Sequence, residues 1–319
     1  MKRVIIDTDP GIDDAAAIFL ALASPELSVE TITTVYGNGP VAVCTGNALR
    51  ILHAARRTDI PVYIGVGKPL LRNPREGWAR QVHGDDALGN TYLPLPEASP
   101  HDGHAVYEII RRIMASPGEI TLLALGRMTN VALALTLEPR LAKAVREIVL
   151  MGGAVSVPGN VSQVASANLH EDPEAAAILY RSGAPLVQIG IDVCDRVTVT
   201  EEQLDRIGKA DIPTARLLAA ATPFIQSYYR SRGFLSEAGG ARYNDVPAVA
   251  YAIDPGLFRT RDLYVEIETH SELTRGQTVA DLRNLTGQPP NAKVCLGVDV
   301  PRLTEMFTRR IVAYQPAVL

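Results

Sequence analysis

The chain has 319 residues, 47% hydrophobic and 21% charged, values of an ordinary globular protein with room for a full core. Its formal net charge of −4 advertises neither nucleic acid nor an anionic membrane as a partner. The three cysteines, Cys44, Cys194 and Cys295, are odd in number and far apart, so no disulfide framework or zinc spacing follows and a reducing, cytoplasmic setting is the default.

Short apolar runs alternate with alanine- and leucine-rich helical patterns along most of the chain. "RVIID" (3–7) reads as a buried strand and "DDAAAIFLALAS" (13–24) as a helix. The alternation continues with strand 27–37, helix 42–56, strand 61–66, helix 104–116, strand 120–126, helix 128–138, strand 145–153, helix 172–183 and strand 185–193. Strands alternating with helices of this length predict one α/β domain over 1–319, with a mostly parallel, Rossmann-like sheet covered on both faces. After residue 260 the texture changes. "RDLYVEIET" (261–269) and "KVCLGVDV" (293–300) read as strands with no helix between them, so some antiparallel pairing is expected there. Two long irregular stretches, 68–103 and 230–246, are read as loops over a binding site; the first holds the single tryptophan, Trp78, read as local packing or a lid residue. "GDD" at 84–86 is read as a solvated turn.

A membrane segment is not expected. "VII" after "MKR" is too short for a signal-peptide core, and "ITLLALGRMTNVALALTL" (120–137) is interrupted by Arg127 and Asn130.

The unusual feature is "DTDPGIDD" (7–14), four aspartates in eight positions between a strand and a helix. This loop falls at the carboxyl end of a parallel strand, where open α/β sheets bind ligands. Helix capping accounts for one or two of them. Two carboxylates about 5 Å apart repel by roughly 3 kcal/mol at an effective dielectric of about 20, whereas a helix dipole returns only about 0.3–1 kcal/mol per charge. Either some of them are protonated or a cation neutralises them, and a divalent cation is the simpler solution. With no Cys or His nearby, zinc is disfavoured, and clustered oxygens suit Ca²⁺ or Mg²⁺, a many-oxygen site favouring Ca²⁺. An EF-hand is excluded, because counting from Asp7 the required glycine falls on Ile12 and the last-position glutamate on Ile18. A phosphatase reading of "IIDTD" is disfavoured, because Pro10-Gly11 and a further Asp pair follow in place of Gly-Thr.

"DTDPGIDDA" (7–15) resembles the signature of the inosine–uridine-preferring nucleoside hydrolases. The resemblance extends through "ITTVYGN" (32–38), "KPL" (68–70), "HG" (83–84), "LALGRMTNVALAL" (123–135), "EIVLMGGA" (147–154), "GN" (159–160), "AN…DPEAA" (167–177), "NDVPAVAYAIDP" (244–255) and "GQTVADLRN" (276–284). It implies hydrolysis of the N-glycosidic bond of ribonucleosides to ribose and free base, in nucleoside catabolism and salvage. The attacking group would be a calcium-bound water deprotonated by Asp9. Carried over by position, Asp9, Asp14, Asp245 and the Leu125 carbonyl would hold Ca²⁺. Asp13 and Asn168 would hold the ribose diol, Asn38 and Asn160 would line the ribose pocket with Asn160 on the 5′ side, and His83 would lie near the base. Tyr228 and Tyr229, just before the second loop, are further candidates to face the base. Asp7 is read as fixing the loop. Family members are commonly homodimers or homotetramers, so a homo-oligomer is expected.

Two positions depart from the family pattern. Asn244 stands where histidine often precedes the distal calcium aspartate, removing one route for protonating the leaving base. Ser166 stands where glutamate often grips the 5′-hydroxyl. Both point to the alternative of a modified nucleoside or another N-riboside as substrate. A catalytically silent nucleoside-binding protein is the remaining alternative, and retention of Asp9 argues against it.

Overall fold

The computed structural model describes residues 1–73, 79–235 and 239–315; Trp78 lies outside the described residues. Among the described residues ten strands occur in the order β1 (Lys2–Thr8), β2 (Leu27–Thr34), β3 (Val62–Ile64), β4 (Ile120–Ala124), β5 (Glu147–Met151), β6 (Leu186–Ile189), β7 (Phe258–Leu263), β8 (Val265–Ile267), β9 (Thr278–Ala280) and β10 (Ala292–Val298). Eight form one sheet in the order β3-β2-β1-β4-β5-β6-β10-β7. Neighbours pair in parallel except β7, which runs antiparallel to β10 at the edge. The expected parallel sheet with late antiparallel pairing is therefore what forms.

The strand alternation explains the two covered faces. On β1, Val4 and Ile6 enter one apolar core while Ile5 enters the other, and all three are fully buried. The helix Ile12–Leu22 packs in the first core with the alanines Ala15, Ala16 and Ala17, whose small side chains let it lie close to its neighbours. Among the described residues no helix is long and apolar enough to cross a membrane.

Differences from the sequence reading have local causes. The strand expected over 185–193 ends at Ile189, because Gly190 caps the helical turn Ile191–Cys194. The strand expected over 261–269 divides into β7 and β8 around Tyr264, and β8 pairs with β9 in a separate two-stranded sheet. Asn291 drives the division: its amide accepts from the Val265 N–H (2.8 Å) and donates to the Val265 carbonyl (2.9 Å), taking the groups a ladder partner would use. The sequence patterns also leave unassigned the helices Glu201–Gly208, Pro213–Ser231, Val246–Ile253 and Val300–Val312.

The strand order reverses at β1: β2 and β3 lie to one side, β4 onward to the other. The crevice beyond the carboxyl ends of β1 and β4 is thus the place such a sheet offers a ligand. Asn130 locks it. Its Nδ2 donates to Asp7 Oδ1 (2.8 Å) and to the Thr34 carbonyl (3.0 Å), and its Oδ1 accepts from Val66 N (2.9 Å), tying β1, β2 and the chain after β3 together. Asn130→Ala strands these buried groups and is expected to lower stability by about 2–4 kcal/mol. Urea unfolding followed by circular dichroism measures this; a loss below about 1 kcal/mol would mean that water replaces the amide.

Candidate active site

A cavity of about 770 Å³ opens over this crevice, and Asp9, Asp13 and Asp245 line its floor. Asp9 follows β1, Asp13 and Asp14 open the helix Ile12–Leu22, and Asp245 caps the helix Val246–Ile253. All four carboxylates are buried, as is Asp7 beneath them. Asp7 does not line the cavity. It accepts from Thr33 Oγ1 (2.6 Å) and from Asn130, consistent with fixing the loop.

Each aspartate has a distinct set of partners. Asp9 Oδ2 accepts from the Asn38 amide N–H (2.8 Å) and from Arg127 Nη1 (2.6 Å). Asp14 accepts from Thr8 Oγ1, the Gly11 N–H (2.9 Å) and Asn38 Nδ2 (2.9 Å). Asp13 Oδ1 is buried with no hydrogen-bond partner among the described residues. Carboxylate oxygens of Asp13, Asp14 and Asp245 come within 4.8 Å of one another. Burial pushes all of these acids up: Asp13 to about 6, Asp7 to about 7, and Asp9, Asp14 and Asp245 above the ordinary carboxylate range. The repulsion among Asp13, Asp14 and Asp245 adds to this. Such a group of buried acids, one with an unpartnered oxygen, fits a metal cation, which adds the positive charge that Arg127 alone does not supply.

Asp9 is held in a slot of two glycines. A Cβ on Gly37 would fall 2.0 Å from Asp9 Oδ2, and one on Gly126 would fall 2.7 Å from Oδ1.

Asn38 and Asn168 both line the cavity, and both already make bonds to the site's polar groups. Asn168 Nδ2 donates to the carbonyls of Leu125 and Met151 (3.0 Å), and its Oδ1 accepts from Arg127 Nη1 (3.1 Å). Asn160 lines the cavity while its Oδ1 accepts from Ala167 N (2.9 Å). Ser166 does not line it: the side chain is fully buried and its Oγ accepts from Gly153 N (2.7 Å), because it sits at the start of the short helix Ala167–His170 facing the loop after β5.

Both long irregular regions also line the cavity, residues 79–83 from the first and Phe234 and Asn244 from the second, and His83 Nδ1 lies 3.8 Å from Asp13 Oδ1. His83 is buried, and its Nδ1 accepts from the Ile12 N–H (3.2 Å). Burial lowers its pKa to about 4, so at neutral pH the ring is uncharged, with its hydrogen on Nε2. Asn244 Nδ2 donates to Tyr229 Oη (2.9 Å). Tyr228 packs edge-on against Tyr229 with centroids 5.5 Å apart, and Arg232 lies over Tyr228 at 5.6 Å. Tyr228 and Tyr229 both line the cavity.

The sequence reading missed Arg127, taking it only as the charge that interrupts an apolar run. It is 5% exposed, lines the cavity and pairs with Asp9. Its place two residues after Leu125, just past the carboxyl end of β4, was the available signal.

The model of the family "Inosine-uridine preferring nucleoside hydrolase" matches residues 4–305. The chain belongs to this family. This nucleoside hydrolase is 39% identical to the pyrimidine-specific ribonucleoside hydrolase RihA of Shewanella sp. (strain ANA-3) over 320 residues, 100% of this chain and 98% of that protein. It is 38% identical to probable uridine nucleosidase 2 of Arabidopsis thaliana, covering 97% of each chain. Among solved structures, a plant nucleoside hydrolase, PpNRh1, superposes with a TM-score of 0.93 at 39% identity, over 98% of this chain and 99% of that one. A purine-preferring ribonucleoside hydrolase from Gardnerella vaginalis gives 0.93 at 33% identity, with the same coverage. The chain is accordingly an enzyme, a nucleoside N-ribohydrolase.

The glycine slot yields a direct test. Gly37→Ala must displace the Asp9 carboxylate, and were Asp9 a reacting group a shift of about 1 Å would cost about 10²-fold. The variant is expected to keep its far-ultraviolet circular dichroism and lose at least that factor in kcat/KM on uridine. Activity within threefold of wild type would mean that Asp9 need not occupy this slot.

Proposed function

We propose that this nucleoside hydrolase cleaves the N-glycosidic bond of ribonucleosides with Asp9 as general base and calcium as its cation. Buried carboxylates gathered on the floor of one cavity carry this reading. The Asp14 and Asp245 carboxylates would hold the ion, with Asp9 and the Leu125 carbonyl completing an all-oxygen set that suits calcium. When bound, calcium lowers the pKa of a water and offsets the carboxylate charge.

The chain's own residues do the rest. Asp9 takes the proton of the water that attacks the anomeric carbon, and the glycine slot keeps its carboxylate aimed there. Asp13 and Asn168 hold the ribose hydroxyls. The bond breaks through an oxocarbenium-like state, and the surrounding carboxylates and amide oxygens stabilise its positive charge. Two relatives named for pyrimidine nucleosides or uridine make uridine the first substrate to test. Asp9→Asn, assayed on uridine at saturating calcium, is expected to lower kcat by about 10²–10⁴-fold. Elemental analysis of the wild type should find calcium. An Asp9→Asn enzyme as fast as wild type removes Asp9 from the role.

Departure of the base depends on neutral donors. His83 offers an uncharged Nε2–H. Tyr229 Oη accepts from Asn244 and so keeps its own hydrogen to offer to the base, while burial raises its pKa far from neutrality. Such groups donate hydrogen bonds but transfer no proton readily at neutral pH. A substrate that needs no proton, p-nitrophenyl riboside, is therefore expected to exceed uridine in kcat/KM by about 10² or more. Asn244→His should narrow that ratio by speeding uridine. Equal rates on the two substrates in wild type would reveal an acid not among these residues.

A second reading is an N-riboside altered at the 5′ position. It is favoured by Ser166, whose hydroxyl is engaged by Gly153 and faces away from the cavity. Comparing uridine with 5′-deoxyuridine measures how much the enzyme uses that hydroxyl.

A further inference from the structure

Arg127 is the one buried charge on the cavity floor, among the described residues, that the proposed reaction does not use. Its Nη1 reaches Asp9 Oδ2 (2.6 Å) and Asn168 Oδ1 (3.1 Å), and Asn168 Nδ2 donates onward to the Leu125 carbonyl. One guanidinium and the amide it orients therefore engage two of the four groups assigned to the cation, Asp9 and Leu125. The other two, Asp14 and Asp245, remain clustered with Asp13.

We propose that Arg127 is a built-in counter-ion that competes with the divalent cation, holding Asp9 and, through Asn168, the Leu125 carbonyl when the cation is away and yielding both when it binds. The inference rests on the calcium reading above. Asp9, Asp13, Asp14 and Asp245 bring up to four negative charges to the floor, and Arg127 cancels one of them. Without the guanidinium the cation meets a stronger field and two oxygens with no competitor.

The Arg127 Nε is buried with no hydrogen-bond partner among the described residues, so the exchange has only the Nη1 bonds to Asp9 and Asn168 to break. The guanidinium borders the cavity, which gives it somewhere to go, and Glu171 lines the same cavity with a charge that also acts on Arg127. A divalent ion offers Asp9 twice the charge of a guanidinium, so the exchange favours the cation once it is present at sufficient concentration. Arg127 would thereby set the calcium concentration at which the enzyme becomes active, and would lessen the repulsion among the acids below it.

The test uses the full chain stripped with chelator: wild type, Arg127→Met and Arg127→Lys, each titrated with calcium in a calorimeter and melted with and without calcium. Arg127→Met is expected to bind calcium at least tenfold tighter than wild type, to melt lower without calcium, and to show the larger calcium-induced rise in Tm. Arg127→Lys, which keeps the charge, should bind within about threefold of wild type. The proposal is overturned if Arg127→Met binds calcium no tighter than wild type, if Arg127→Lys binds as tightly as Arg127→Met, or if Arg127→Met stays unfolded in saturating calcium. A wild type that takes up no calcium has a different signature, defeating the calcium reading itself and this one with it.

Discussion

Burial of like charge is the constraint around which the site is organised. Moving a carboxylate out of water is costly unless hydrogen bonds, an opposite charge or a proton offsets the lost hydration. At the carboxyl ends of β1 and β4 the chain does this for five aspartates by different means. Asp7 takes hydrogen bonds from Thr33 and Asn130, and Asp14 takes them from Thr8, Gly11 and Asn38. Asp9 takes an arginine. Asp13 keeps an oxygen with no partner, and Asp245 shares its cluster. These unequal solutions leave negative charge on the side that faces the cavity.

Beside these acids the cavity lining has a complementary character. His83, Tyr229 and Asn244 are polar but uncharged at neutral pH, and each is fixed by a neighbour: His83 by the Ile12 N–H, Tyr229 and Asn244 by each other. In the proposed reaction the sugar of a ribonucleoside would meet the charged acids and its base the neutral donors. That asymmetry matches bond breaking in which positive charge develops on the sugar ring.

Much of this was legible in the sequence, for identifiable reasons. Strands such as "RVIID" are short apolar runs with sharp ends, and four aspartates in eight positions demand an electrostatic explanation wherever they fold. What stayed hidden depends on partners far away in the chain. Asn291 divides a strand by bonding Val265, 26 residues away. Ser166 has a hydroxyl suited to a ligand, yet the Gly153 N–H claims it. Arg127 reads as an interruption in an apolar run until the fold sets it against Asp9, 118 residues distant. The helix Pro213–Ser231 contains Pro223, a residue that speaks against a continuous helix, and tertiary packing overrides it.

The glycine slot around Asp9 divides the molecule into parts with different freedom to change. Gly37 and Gly126 follow β2 and β4, and any side chain at either position would enter the space of the Asp9 carboxylate. The floor is thus built from backbone just after β1, β2 and β4, strands whose last residues are all buried, and altering it means moving the sheet. The rim is different. The turn Arg80–His83 and the end of the helix Pro213–Ser231 add no strand to that sheet. Insertions and substitutions there, His83 with its bond to Ile12 excepted, can reshape the rim of the cavity while leaving the glycine slot in place. A laboratory seeking a new leaving group for this scaffold would randomise those two segments and leave the loops after β1, β2 and β4 alone. The same separation offers natural selection a route to new base preferences at little risk to the chemistry.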